Sequence, residues 1–326
     1  MIKGSLKIWH ETHTLNLDGR IRDRQDRIST LDTKGEEYDL DLEEVEELHS
    51  LSDNLHSLSR INNNIHWQKS RLLWLKEGDA NSKKFHSIMS SRRRANTIVS
   101  LFVNGFTVEG VDGTRGAIFS HFASHFRSVV AERPSIDNLN FQTLNVGQRG
   151  DLTKPFTIEE VKQEVWDCDS YKSPGPDDIN LGFIRDFSPE MRDDVMRFIS
   201  EFHRNGKLSK GINSTFISLI PKVDSPQRLN DFRPISLVGS LYKILSKVLS
   251  NRLRCVLGSV ISESQSTFIH GRPILDGIII ANELVADVKH LMKDMLLFKV
   301  DFEKEFDSVD WCYLEAVMKK INFPTL

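Results

Sequence analysis

Only three cysteines stand in 326 residues, Cys168, Cys255 and Cys312, and no two of them form a C-x-x-C pair. An odd number at wide spacing excludes a disulfide framework or a cysteine zinc site and points to a reducing compartment. Long apolar runs are missing as well: none approaches the roughly 20 residues that a membrane-spanning helix needs. The N-terminus, Met1-Ile2-Lys3-Gly4-Ser5, lacks the apolar core of a signal peptide. The expectation is a soluble intracellular protein with no membrane partner. Excess charge is absent too: 43 Lys+Arg against 46 Asp+Glu leave a formal net charge of -3. Global charge therefore gives no sign of a nucleic-acid partner, and any electrostatic footprint has to be local.

The length is enough for two domains and a sizeable core. From about Ile21 to Ile65 the chain reads as long helix, with Leu42, Val45, Leu48, Leu51, Leu55, Leu58, Ile61 and Ile65 forming a narrow apolar stripe. Its start is acidic (Glu36, Glu37, Asp39, Asp41, Glu43, Glu44, Glu46, Glu47), which suits a solvated helical hairpin or arm better than a partner site. Residues 1–68 are taken as that coiled-coil-like arm. The character then turns basic and aromatic through Trp67, Lys69, Arg71, Trp74 and Lys76 to Arg92-Arg93-Arg94. Cations interleaved with aromatics suit nucleic acid, and a solvated charged face is the equal alternative. Asn104-Gly105 between Ile98–Val103 and Phe106–Val108 predicts a tight hairpin. A helix follows, carrying His121 and His125 one turn apart. With no third ligand nearby, these read as surface or packing histidines. Residues 69–131 form this basic region, and 132–150, polar and without period, a linker.

Farther on, Thr157-x-x-Glu160 reads as a capping box with Phe156 as its hydrophobic staple. Its helix runs to about Ser170, and Ser173-Pro174-Gly175-Pro176-Asp177-Asp178 can only be a turn. A helix around Val195, Phe198 and Phe202 stops at Gly206. A strand, Phe216–Ile220, leads into Pro221-Lys222 and then Asp231-Phe232-Arg233-Pro234. A helix follows with Leu241, Ile244, Leu245, Val248 and Leu249 on one face. Met295-Leu296-Leu297-Phe298 reads as a strand buried on both faces, with Asp301 at its tip and Asp310 placed to cap the next helix. Two readings of the acids there stay open: ligands for Mg²⁺, or a cap and a wet loop.

The window Lys299-Val300-Asp301-Phe302-Glu303-Lys304-Glu305-Phe306-Asp307-Ser308-Val309-Asp310-Trp311 resembles the first metal-binding motif of reverse transcriptases, in the form found in plant non-LTR (LINE-type) retrotransposons. The resemblance runs from about Gln68 to Pro324. It takes in the segment Trp74-Leu75-Lys76-Glu77-Gly78-Asp79, the loop Ser173–Asp178, Ile220-Pro221-Lys222, Asp231–Leu237, the helix bearing Tyr242, Lys243, Lys247 and Arg252, and Gln265-Ser266-Thr267-Phe268-Ile269-His270-Gly271-Arg272. Glu305, Asp178, Thr267 and Lys84 depart from the family pattern. Asp178 stands for glycine; if that position needs a positive φ, aspartate can adopt it at some cost.

The resemblance implies an α+β right-hand polymerase, with fingers over 151–295 and the start of a palm over 296–326, after the helical N-terminal region. It implies an RNA-directed DNA polymerase that extends a DNA primer on an RNA template from dNTP. Asp301 and the carbonyl of Phe302 would bind Mg²⁺, Lys222 and Arg233 would hold the incoming dNTP, and Phe306 would exclude a ribose 2′-hydroxyl. Lys69, Arg71, Arg92, Arg93, Arg94, Gln265, Gly271 and Arg272 would face nucleic acid. Without the family, Arg233 would read as a structural ion pair. The second aspartate pair of such enzymes does not follow Asp301, so the expectation is an incomplete palm and a chain inactive alone. The alternatives are a non-catalytic nucleic-acid-binding remnant and a decayed product that does not fold. Oligomeric state stays open.

Overall fold

A computed structural model describes residues 2–70, 83–103, 105–127, 134–263, 265, 269–273, 275–292, 294–296 and 309–324. The expected strand tip with Asp301, Phe302, Glu305 and Phe306 lies outside the described residues, as does Arg71. The chain divides into two units: Met1–Val99 with Leu219–Arg233, and Ser100–Ser218 with Pro234–Leu326.

In the first unit, α1 (Ile2–Thr14), α2 (Leu17–Glu37), α3 (Leu42–Ser70) and α4 (Lys83–Asn96) make the N-terminal region all helical. The long helix expected from about Ile21 to Ile65 is broken between α2 and α3, and the apolar stripe from Leu42 to Ile65 lies within α3. Local chemistry explains the break. Asp41 caps α3 by accepting from the Glu44 N–H at 2.8 Å, while Glu44 Oε2 accepts from the Asp41 N–H at 3.3 Å. Much of the acidic cluster is spent locking this hairpin. Arg27 donates to both oxygens of Glu47 at 2.8 and 2.7 Å, and Lys34 pairs with Glu44. Leu17, Leu31 and Leu58 are buried in the first unit.

Hydrogen bonding to Arg27 holds the Glu47 carboxyl below the usual glutamate range. A depressed folded value means stability that is complete above the unfolded value and is lost as pH falls through the folded one. Acidification below about pH 4 should therefore loosen this hairpin, and Glu47→Gln should remove that part of the acid transition in helical circular dichroism.

The second unit opens on β1 (Ser100–Val103) and β2 (Phe106–Glu109), antiparallel with Val103 opposite Phe106. The two-residue turn between them holds Gly105 at φ 89°, as the Asn-Gly signal requires. α5 (Val111–His125) covers this hairpin, and Leu101 is fully buried. The His121 and His125 rings lie parallel at 6.3 Å, and no group of three metal-ligating side chains occurs among the described residues.

Within the segment expected as a linker, residues 136–150 include buried side chains and the start of a helix. Asn145 and Gln148 form a complete capping box that starts α6 (Val146–Thr153), Ile136 and Leu144 are buried, and the Leu144 N–H donates to the Ile321 carbonyl at 2.9 Å. The signal was present in Asn145-x-x-Gln148 but stood ahead of a polar helix with no apolar period.

α7 (Ile158–Asp167), α8 (Leu181–Asp186), α9 (Ser188–Asn205) and α10 (Ser240–Val260) enclose the main core of Val161, Val165, Leu181, Ile184, Val195, Ile199, Ile244, Leu245 and Val248. Gly206 ends α9 in the left-handed region at φ 61°. The apolar face expected on α10 is the one buried here. A smaller cluster joins Leu144, Val256 and Val260 to Ile321 and Phe323. α11 (Leu275–His290) and α12 (Trp311–Lys320) complete the helices, and Asp310 caps α12 by accepting from the Tyr313 N–H at 2.8 Å, as expected.

β3 (Thr215–Pro221) and β4 (Phe232–Val238) pair as a second two-stranded sheet. Pro234 is tolerated inside β4 because each strand of such a pair keeps an unpaired edge. The fold is thus mixed helix and sheet, and Met295 and Leu296 are described outside any strand.

Candidate nucleotide-binding site

Lys222 and Arg233 lie at the closed end of the β3–β4 pair. The Lys222 N–H donates to the Asp231 carbonyl at 2.7 Å, which sets Lys222 opposite Asp231. Arg233 follows two residues after Asp231, at the second position of β4. Both cationic side chains are exposed. The Lys222 ammonium reaches the Asn230 carbonyl at 3.1 Å, and Arg233 makes no hydrogen bond or ion pair among the described residues.

The turn that joins them is held from within. Phe232 and Leu229 are buried anchors, and the Asp231 carboxylate accepts from the N–H groups of Arg228 and Gln227 at 2.8 and 3.0 Å. Those backbone donors, with lesser help from the charges of Arg228 and Lys222, keep the Asp231 carboxyl below the usual aspartate range. An ionised Asp231 beside two cations also holds their charges near the turn. An anion with several charged oxygens is the ligand that an exposed guanidinium fork and ammonium flanking one turn would suit.

The far end of β4 is fixed by the Ser173–Asp178 loop. Asp177 Oδ2 accepts from both the N–H and the hydroxyl of Ser240, at 2.5 and 2.6 Å. α10 has Gly239 as its N-cap and no side-chain cap of its own, so a carboxylate 63 residues away in sequence supplies it. The Lys243 ammonium donates to the Ser173 carbonyl at 3.0 Å. Gly175 lies so close that an added Cβ would fall 2.3 Å from the Val238 carbonyl carbon. Asp178 adopts φ 57°, so the position where the family pattern has glycine does require the left-handed region. Asp178→Gly should raise stability by about 0.5 kcal/mol, measured by urea unfolding.

Arg252, expected only as part of a family helix, is the hub of the second unit. Its guanidinium donates to Glu160 at 2.7 and 2.8 Å, to the carbonyls of Leu152 and Pro155 at 3.3 and 3.0 Å, and to that of Lys154, and it stacks 4.0 Å from the Phe156 ring centroid. This changes the expected capping box. Thr157 does accept from the Glu160 N–H at 3.2 Å, but the Glu160 side chain turns to Arg252 instead of back to the cap.

Arg272 also works within the fold: it donates to the carbonyls of Ser262 and Gln265 and, at 3.2 and 3.1 Å, to those of Gly258 and Ile261 near the C-terminus of α10. Gly271 precedes it at φ 79° in a turn closed by the Arg272 N–H on the Ile269 carbonyl. Arg92, Arg93 and Arg94 are exposed at the end of α4, and Lys69 is in the last turn of α3. Lys222 and Arg233 flank the turn between β3 and β4, and the described residues do not place them against Asp301.

Residues 220–326 match the family described as Reverse transcriptase (RNA-dependent DNA polymerase). Over 258 residues, 78% of the chain, the sequence is 26% identical to the Transposon TX1 uncharacterized 149 kDa protein of Xenopus laevis, covering 20% of it. Over 227 residues, 68% of the chain, it is 25% identical to the Retrovirus-related Pol polyprotein from type-1 retrotransposable element R1 of Bradysia coprophila, covering 21% of that protein. The chain thus spans about a fifth of the length of the curated relatives it matches. Lys222, Arg233 and Asp301 all fall inside the matched family segment. Residues 220–326 are thus similar to reverse transcriptase domains, and the chain as a whole is similar to proteins of transposable elements.

Proposed function

We propose that this chain belongs to an RNA-directed DNA polymerase of a LINE-type element, the wording of its motifs favouring the plant branch, and that it supplies the nucleotide-binding half of the active site. Lys222 and Arg233 hold the triphosphate of the incoming dNTP, and the observation that carries this reading is the exposure of both side chains at the end of the β3–β4 pair, on either side of a turn locked by Asp231. The fingers cover residues 151–295 and also take in Leu144 and α6, which pack against α10. The palm begins at 296, the helical arm covers 1–68, and the basic region covers 69–131.

Asp301 and the carbonyl of Phe302 would hold Mg²⁺; hard oxygen donors of this kind fit that ion. When bound, the metal would activate the primer 3′-hydroxyl and offset the charge of the departing pyrophosphate. Arg233 and Lys222 orient the triphosphate for that displacement and neutralise its oxygens. Gln265, Gly271 and Arg272 shape a turn that faces the RNA template and DNA primer, with Lys69, Arg71 and Arg92 to Arg94 adding backbone contacts.

Phe306 sets the choice of sugar. In calorimetry on the chain with a DNA primer annealed to an RNA template, dTTP should bind at least about tenfold more tightly than its ribose analogue. Phe306→Ala should erase the difference. Equal binding of both nucleotides by the unaltered chain would remove the role given to Phe306.

A further inference from the structure

The connection from α9 to β3 has a charge pattern that the nucleotide site does not use. In a chain with 46 acids, residues 202–223 contain none, yet they hold Arg204, Lys207 and Lys210 as well as Lys222. Arg204, Lys207 and Lys210 are exposed and make no ion pair among the described residues. The contrast lies on the same helix, where Arg192 is neutralised by Asp193 at 3.1 Å and Arg197 by Asp194 at 2.7 Å. His203 is committed elsewhere, its ring nitrogen 2.9 Å from the Thr153 carbonyl.

The segment is also shaped. Gly206 at φ 61° ends α9, Gly211 at φ 93° lies between turns closed by the Ile212 N–H on Ser209 and the Ser214 N–H on Gly211, and β3 begins at once. At its exit Phe216 is 55% exposed, an aromatic ring that the fold does not bury. A stabilising role for the cations accounts for Arg204, which complements the C-terminus of α9, but not for Lys207 and Lys210 beyond it.

Arg204 lies in the last turn of α9, and Lys207 and Lys210 lie in the acid-free loop after it. Three cations without an ion pair among the described residues, leading to an exposed ring, fit a strand of phosphodiesters with an unstacked base at one end. We infer that Arg204, Lys207, Lys210 and Phe216 form a contact surface for single-stranded nucleic acid, separate from the residues that the family resemblance assigns. The inference rests on the nucleic-acid partner of the proposed function and adds a stretch of unpaired template to it. The cations grip the backbone without reading sequence, and Phe216 stacks one base and so discriminates against duplex.

The test is fluorescence anisotropy of the full chain with a labelled oligouridine strand, repeated across salt concentrations. Replacing Arg204, Lys207 and Lys210 together by glutamine should weaken binding by about tenfold or more and lower the salt slope by about 2. Arg192→Gln with Arg197→Gln, which removes cations that are already neutralised, should change affinity by less than about twofold. Phe216→Leu should weaken binding about 5- to 100-fold while leaving the slope unchanged. Each variant is checked for an unaltered melting transition, and the three single glutamine variants, each expected to lower the slope by about 0.7, replace the triple one if it does not fold. Affinity and slope kept in the folded triple variant, or an equal loss in the Arg192 and Arg197 control, would overturn the inference. With magnesium-dependent dTTP binding intact, such a result leaves the proposed function standing. No binding of any single strand by the unaltered chain would overturn this inference and the nucleic-acid partner together.

Discussion

Arg252→Ala should cost about 3–5 kcal/mol of stability, the largest loss expected from one exposed-to-buried cation in this chain. Arg252 is 12% exposed and Glu160 26%, so the pair is mostly removed from water. Removing the guanidinium leaves the Glu160 carboxylate and the carbonyls of Leu152, Lys154 and Pro155 without their donor. It also removes the cation stacked on Phe156. Arg252→Lys should recover little, because one ammonium cannot reproduce a fork that serves both carboxylate oxygens and three carbonyls. Replacing Arg252 and Glu160 together by methionine and leucine should recover part of the loss, since no buried charge is then left unpaired. Urea unfolding of the three variants checks the order. If Arg252→Ala falls within about 1 kcal/mol of the unaltered chain, the hub role assigned to this side chain is wrong.

Gly175→Ala should be the next most damaging change, at about 3 kcal/mol. The new Cβ would meet the Val238 carbonyl carbon at 2.3 Å, its oxygen at 2.4 Å and the Gly239 nitrogen at 2.5 Å. All three are backbone atoms at the junction of β4 and α10, so no side chain can swing away to make room. The loop has to withdraw, and with it go the bonds from Asp177 to Ser240 that cap α10. Asp177→Asn should cost less, about 1 kcal/mol, because an amide oxygen can still accept from the Ser240 N–H. Thermal melts rank the pair: Gly175→Ala below Asp177→Asn. The reverse order would mean that the cap, and not the close approach, holds the loop.

Much of this was legible in the residues and some of it could not be. Asn104-Gly105, Gly206 and Asp310 announce a turn, a helix stop and a helix cap by local chemistry alone, and the backbone follows each. The apolar face of α10 was readable because its period is that of a helix. At Asp178 the family pattern left open whether a positive φ is needed, and the backbone adopts one, at 57°. The break between α2 and α3 was hard to place because residues 38–41 hold no proline or glycine and only Asp41 and Glu44 mark the cap. α6 was hidden because it has a cap but no stripe. The partners of Arg252, Asp177 and Arg272 lie 7 to 100 residues away, and no local rule selects which charge will be buried against which carbonyl.

The most direct test of the account is magnesium-dependent binding of dTTP by the full chain, with a DNA primer annealed to an RNA template, followed by calorimetry. Saturable binding that needs magnesium is expected, weakened about 10- to 100-fold by Arg233→Ala and by Lys222→Ala, the usual worth of a charge-assisted hydrogen bond. Asp301→Ala should remove the dependence on magnesium. Binding that ignores all three substitutions, or no binding at all, would contradict the assignment of this turn and strand tip to the nucleotide.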